Sequence, residues 1–139
     1  NKGKAHYRGL EAGLSYYYKR ISAEANYTFI NRTNKSDKEV SFLGVPDHKW
    51  NVILEVALGG ELVLQTNMTA LTSSHVSSNG DLSIPGYALF HSSIGKRFNR
   101  IEAKLGVKNL FDKLYYLSEG YPMEGRLIYA SLSYTFNSQ

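Results

Sequence analysis

Apolar and polar residues alternate with period two along most of this chain, and the alternation stops and restarts at regular intervals. From about His6 to Tyr18, one face carries Leu10, Ala12, Leu14, Tyr16 and Tyr18, and the other carries Gly9, Glu11, Gly13 and Ser15. Lys19-Arg20 reads as a tight polar turn. Ile21, Ala23, Ala25, Tyr27 and Phe29 then alternate with Ser22, Glu24, Asn26 and Thr28. Side chains of a strand point to opposite faces in turn, so strict alternation over such lengths predicts strands. A long polar loop runs from Asn31 to Asp47. The third strand sets Trp50, Val52, Leu54, Val56 and Leu58 on one face, with Lys49, Asn51 and Glu55 on the other. Gly59-Gly60 reads as a hairpin turn, because glycine accepts the positive φ such turns require. The fourth strand opposes Leu62, Leu64, Met68 and Ala70 to Glu61, Gln65, Asn67 and Thr69.

A second polar loop, Thr72 to Pro85, precedes a fifth strand from about Gly86 to Phe98. Its alternation is the weakest of the set, since Phe90, Ile94 and Phe98 share their face with Ser92 and Lys96. Asn99-Arg100 turns the chain into a sixth strand, in which Ile101, Ala103, Leu105 and Val107 oppose Glu102, Lys104 and Lys108. A third loop, Phe111 to Glu124, leads to a last strand closing at Phe136. The rhythm is hairpin, long loop, hairpin, long loop. Short turns at one end and long loops at the other are the arrangement of a membrane-spanning β-barrel. About seven strands result, each long enough to cross the hydrocarbon layer when tilted, which takes about 9–11 residues. The polar faces are too charged for a packed sandwich core and suit a wet lumen. Bacterial barrels close with an even number of strands, and open edges in lipid leave backbone groups unpaired, so seven strands read as an arc of a larger wall.

Composition changes this picture little. The chain has 139 residues, 42% of them apolar, and a mean hydropathy of −0.33. No stretch approaches the roughly 18 apolar residues of a membrane helix, which excludes helical spans but not strands. Eleven Tyr, six Phe and one Trp are a heavy aromatic load, as expected of rings at both membrane–water boundaries. Cysteine is absent, which suits a periplasm-facing protein. A net charge of +4 with no basic run gives no reason to expect nucleic acid. The chain opens Asn1-Lys2-Gly3-Lys4 without the apolar leader a secreted barrel needs, so it reads as a piece or a processed chain.

The end of the chain is the most specific part. Asn109-Leu110-Phe111-Asp112-Lys113 leaves the penultimate strand, Tyr115 follows, then Gly120-Tyr121-Pro122. Gly125-Arg126 enters the last strand, and Tyr134-Thr135-Phe136 closes it. This resembles the carboxy-terminal signature of TonB-dependent outer-membrane receptors. Tyr7-Arg8-Gly9-Leu10-Glu11, Tyr27-Thr28-Phe29, Val45-Pro46-Asp47-His48-Lys49 and Leu82-Ser83-Ile84-Pro85-Gly86-Tyr87 are similar to that family's barrel too, in order along nearly the whole chain. Asn109 and Asp112 can bond their own backbone and hold a turn, Pro122 and Gly125 shape the loop's return, and Tyr115, Tyr116 and Tyr121 suit the headgroup level. The resemblance implies an all-β, antiparallel, up-and-down transmembrane barrel of 22 strands in the bacterial outer membrane. Residues 1–136 would be its carboxy-terminal part, residues 137–139 a short tail, and the plug and TonB-contacting segment would lie upstream. It implies uptake of a scarce ligand with energy passed through TonB, ferric siderophores being the commonest ligands, with haem, cobalamin and glycans as others. The terminal strand is then expected to end on the periplasmic side, with loops 31–47, 73–85 and 111–124 facing outward. Family members usually finish at the terminal aromatic, whereas Asn137-Ser138-Gln139 follow Phe136 here.

Other candidates are weaker. His6, His48, His75 and His91 show no metal spacing, although His75 in its loop is placed to meet an iron ligand or haem. Glu11 and Glu55 on the lumen side imitate a carboxylate pair, but lumen charges are ordinary in wide barrels. Arg32, Lys35, Asp37, Lys38 and Glu39 form a mixed-charge loop suited to an anionic chelate or to lipopolysaccharide, with a solvated loop tip as the favoured reading. Ser73, Ser74, Ser77, Ser78 and Asn79 are unspecific. Asn31-Arg32-Thr33 and Asn34-Lys35-Ser36 match the glycosylation pattern but read as polar loop. With no nucleotide loop, nucleophile elbow or zinc motif, the sequence points to a transporter part and not an enzyme, with no cofactor of its own. Two rivals are a self-contained outer-membrane barrel of about eight strands and a soluble β-sandwich binding module.

Overall fold

The computed structural model describes residues 4–36, 42–78 and 80–136. Among these described residues eleven strands form, in the order β1 (Ala5–Tyr18), β2 (Ile21–Asn34), β3 (His48–Gly59), β4 (Leu62–Leu71), β5 (Ser74–His75), β6 (Ser83–Ile84), β7 (Tyr87–Phe98), β8 (Ile101–Lys108), β9 (Tyr116–Ser118), β10 (Tyr121–Pro122) and β11 (Leu127–Tyr134). Seven of them make one antiparallel sheet in the order β1-β2-β3-β4-β7-β8-β11. These are the seven strands expected from the alternation. The four short strands are two small pairs, β5 with β6 and β9 with β10, inside the second and third loops.

The register carries one face unbroken across the sheet. Leu14 lies opposite Ala25, Ala25 opposite Val52, Val52 opposite Met68, and Met68 opposite Phe90. Further along, Leu64 meets Ile94, Ile94 meets Leu105, and Leu105 meets Ala130. A slip of one residue in any pair would turn that strand's apolar set to the wrong side. The other face lines up Glu11 with Thr28, Glu55 with Gln65, and Gln65 with Ser93.

Very little of the apolar face is buried. Among the described residues the buried hydrophobic side chains are Ile84 and Leu89, while Leu14 is 70% and Leu132 74% exposed. A soluble sandwich would pack such a face against a second sheet. Here it faces outward over a single layer, as the lipid-facing side of a barrel does. Two hydroxyl residues in this apolar field, Thr66 and Ser92, bond each other at 3.2 Å, so neither presents an unmet hydroxyl to hydrocarbon.

Rings gather at both ends of the outward face. At the loop end Tyr27, His48 and Trp50 stack in a row, Tyr27–Trp50 at 5.5 Å and His48–Trp50 at 5.7 Å, with the Tyr27 hydroxyl 2.8 Å from His48 Nδ1. At the turn end lie Tyr16, Tyr18, Phe98, Tyr134 and Phe136, the last two in edge contact at 4.6 Å. Two aromatic girdles about a strand's length apart mark the two boundaries of the hydrocarbon.

The tight turns fall at Lys19-Arg20, Gly60-Glu61 and Asn99-Arg100, with positive φ at Lys19, Gly60, Glu61 and Asn99. A register shift between Ala57 and Gly59 takes Leu58 out of the regular ladder, where alternation had kept it in line. Strand β2 runs on to Asn34, into the segment expected to be loop, because its partner β1 continues to Ala5. β11 ends at Tyr134, though the Thr135 amide still donates to the Arg100 carbonyl at 2.9 Å. On the lumen face the Tyr129 ring lies over Gly106 so closely that an added Cβ would sit 2.5 Å from it, so a larger residue there must displace the ring.

The face assignment has a direct check. Leu54→Arg on the outward face should destabilise the folded barrel in vesicles by about 2–4 kcal/mol, whereas Gln65→Arg on the lumen face should cost under about 1 kcal/mol. Denaturant titration in lipid reads the difference; the opposite order would mean that the faces are reversed, and equal small costs that both are wet.

Candidate functional site

All three long loops leave the same end of the sheet, and they are tied to one another. In the first, the Arg32 guanidinium reaches in from β2. It donates to the Val45 carbonyl, stands 3.9 Å from Asp47 and lies over the Phe42 ring at 5.5 Å. Its side chain is only 9% exposed, and its Nε has no hydrogen-bond partner among the described residues. Arg32 was expected in a mixed-charge loop, meeting an anionic ligand or solvated; it lies on β2 and clamps 42–47 back over the strand ends.

The second loop is held to the first by main chain. Leu43 bridges His75, and the Gly44 amide donates to the His75 carbonyl at 2.8 Å. Within it, the Ser77 hydroxyl accepts from the Leu82 amide at 2.9 Å, and Ile84 is buried. β6 then lies against β9 of the third loop, and the Tyr87 and Tyr115 rings meet at 4.8 Å. The three loops thus form one continuous cap over one end of the wall.

The third loop is anchored by Asn109, which is 4% exposed and has a φ of 50°. Asparagine tolerates this left-handed conformation better than most residues. Its Nδ2 donates to the carbonyls of Lys113 (2.9 Å) and Glu124 (3.3 Å), its Oδ1 accepts from the Lys113 amide (2.8 Å), and its own amide donates to His91 Nδ1 (3.1 Å). One side chain therefore joins both ends of the loop. Asp112, also at positive φ, accepts from the Arg126 amide at 2.7 Å. A Cβ on Gly125 would lie 2.7 Å from that carboxylate, so Gly125 leaves room for the bond. The Leu110 amide donates to the Phe90 carbonyl, and the Phe111 ring meets Phe90 edge-on at 5.2 Å. Gly120, with a φ of 76°, turns β9 into β10, where Tyr121 and Pro122 lie exposed. Phe136 lies at the opposite end, 85% exposed.

Below the cap, the lumen face is polar. A half-open hollow of about 560 Å³ near the turns is lined by Glu55, Gln65, Ser93, Arg97, Glu102 and Lys104, among others. Glu102 pairs with Arg97 at 3.5 Å and Lys104 at 3.9 Å, so its charge is largely met. Glu11 and Glu55 are not brought together. Glu11 shares a row with Thr28 and Lys49, six residues along β3 from Glu55, which is about 20 Å of strand.

The histidines are scattered. His48 sits in the outward aromatic row, His91 on the lumen face, His75 exposed in the loop cap and His6 exposed on β1. No group of three or more metal-binding side chains occurs among the described residues. Asp37, Lys38, Glu39, Asn79 and the tail 137–139 lie outside the described residues. The Arg32 clamp and the loop-to-loop ties were not visible in the sequence, since each joins residues with no shared periodicity.

Comparison with known proteins places this arrangement. A family model described as TonB dependent receptor-like, beta-barrel, matches residues 1–110. The structure is similar to the ferric-catecholate import receptor Fiu of E. coli K12, with a TM-score of 0.84, 22% identity, and coverage of 96% of this chain and 21% of that one. It is similar to the siderophore receptor PirA of Acinetobacter baumannii, with a TM-score of 0.82, 25% identity, and coverage of 98% and 23%. The ferripyoverdine receptor of Pseudomonas aeruginosa, solved with ferripyoverdine, matches with a TM-score of 0.77, 21% identity, and coverage of 95% and 20%. The chain thus spans between a fifth and a quarter of the length of these receptors. No curated protein matches it in sequence.

Removing the anchor should free the third loop. Asn109→Ala strips three side-chain hydrogen bonds and puts alanine at a positive φ, together worth about 2 kcal/mol of local stability. In the purified protein in detergent, protease cleavage between Phe111 and Glu124 should then speed up about thirty-fold. An unchanged rate would show that the loop is held elsewhere.

Proposed function

The chain belongs to the TonB-dependent receptor β-barrel family of the bacterial outer membrane, and on that premise we propose that it is the carboxy-terminal wall of a receptor that imports a ferric siderophore or similar iron chelate. The observation that carries this reading is the joined loop cap over a polar inner face. The cap offers a surface at one end for first contact with a ligand, and the charged, amide-rich face below it keeps a wet interior for passage. The fold neighbours named as siderophore or ferric-chelate receptors support the ligand class.

In this reading the loop end faces the medium and the tight turns face the periplasm. The wall binds nothing covalently and moves no proton. Its strands hold the loops at fixed spacing, and tyrosines such as Tyr87, Tyr115 and Tyr121 at the loop end suit the flat, aromatic groups that commonly chelate ferric iron. TonB would act through a plug supplied from upstream, and the seven strands would complete their hydrogen bonding with further strands at the free edges of β1 and β11.

The test uses the full-length receptor in its own bacterium. Starvation for iron should raise the heat-modifiable protein in the outer membrane several-fold, and its deletion should abolish uptake of at least one ⁵⁵Fe-labelled siderophore from a panel. Outer-membrane protein indifferent to iron, with normal uptake of every chelate, would move the ligand to another class.

A further inference from the structure

The outward face holds a feature that wall-building does not require. Between β4, β7, β8 and β11, near the turn end, lies a shallow apolar depression of about 560 Å³. Its floor is made by two small residues, Ala103 and Ala130, and its rim by Leu62, Ile94, Leu105 and Leu132. The register explains the shape. Ala103 lies between Lys96 and Leu132, and Ala130 lies opposite Leu105, so each alanine is set among long side chains. Leu105 and Leu132 are 55% and 74% exposed, so they stand up from the surface as walls.

A cation stands at one end of this depression. Lys96 belongs to the same row as Leu62 and Ala103, and its ammonium bends toward the turn end to lie 4.7 Å from the Phe98 ring centre. A lysine in a lipid-facing row carries its charge to the nearest boundary in this way. The nearby carboxylate, Glu102, is on the opposite face and already engaged by Arg97 and Lys104. Among the described residues no carboxylate neutralises Lys96. Lys104 also lines the depression, but its ammonium is paired with Glu102, so Lys96 is the unpaired cation at the boundary end, and a groove so charged matches a molecule with an anionic head and an apolar tail.

We propose that this depression seats an acyl chain of an anionic diacyl phospholipid, with the phosphate of its head paired to Lys96. A zwitterionic lipid fits less well, because its own ammonium competes for the phosphate. The turn end placed toward the periplasm makes the lipid one of the inner leaflet; that orientation rests on the function proposed above, but binding itself does not depend on it.

Native mass spectrometry of the full-length receptor in detergent, titrated with dipalmitoylphosphatidylglycerol or the matching phosphatidylcholine, tests the assignment. Lys96→Gln should weaken the first phosphatidylglycerol about fivefold, the effect of one basic residue beside an anionic head, and change phosphatidylcholine less than twofold. Ala103→Phe, which fills the floor, should weaken both lipids. Heat-modifiable migration confirms that each variant is folded. Undiminished binding by Ala103→Phe would overturn the site, and so would a loss on Lys19→Gln equal to that on Lys96→Gln. Lys19 also caps a ring, that of Tyr18 at 5.0 Å, but is not among the residues lining the groove.

Discussion

A backbone amide in hydrocarbon has no water to bond, and every feature of this wall depends on that constraint. The ladder must run without a gap from β1 to β11, so register cannot drift, and a fixed register lets one apolar face continue through seven strands. The same demand explains why Thr66 and Ser92 face each other across β4 and β7 in the lipid-facing field. Each hydroxyl is tolerable there because its neighbour is the other. It also explains the ring of tight turns at one end, where the chain must reverse before any amide is left bare, and where positive φ at Lys19, Glu61 and Asn99 closes the reversal in the fewest residues.

The end opposite the turns escapes the constraint, and its chemistry differs accordingly. Once outside the lipid the loops can be held by contacts beyond the ladder, and three unlike devices do so: a buried guanidinium at Arg32, a main-chain bridge from Leu43 to His75, and an asparagine at Asn109 that spans its own loop. The anchors sit at the loop bases and the joints between loops, while the middle of the third loop leaves Leu114, Leu117 and Tyr121 exposed. A surface fixed at its bases and open at its tips can change its tip residues without disturbing the wall.

The strands were legible in the sequence because lipid imposes period two, and the signal fades where lipid ends. β2 reads clearly from Ile21 to Phe29, where Ala, Tyr and Phe alternate with polar residues, but its last residues to Asn34 are all polar except Ile30 and look like loop. β5, β6, β9 and β10 have two or three residues each, too few for any period to show. Leu58 fitted its alternating face by position, and the shift beside Gly59 is a local answer to turn geometry that no pattern announces. Arg32 is the sharpest case. Its neighbours in sequence are polar, so it reads as solvated, and only the return of Phe42, Val45 and Asp47 through space buries it.

The ligand stays illegible for a related reason. A barrel's lumen is assembled from every strand around the circle, and this arc contributes about a fifth of the receptors it resembles. Of the charges it does contribute, Glu102 is met by Arg97 and Lys104, while Glu11, Lys49 and Glu55 stand in the lumen-facing rows with no ion pair among the described residues. A paired charge such as Glu102 is selective only weakly by itself, since a ligand would have to displace partners already in place. Groups without a partner are the ones free to discriminate, and among the described residues this arc offers two kinds, the exposed rings of the cap and the unpaired charges of the inner face. The physical division in this arc is between a lipid-facing side, where every polar group must find a partner within the wall, and an inner face and rim where water can supply one.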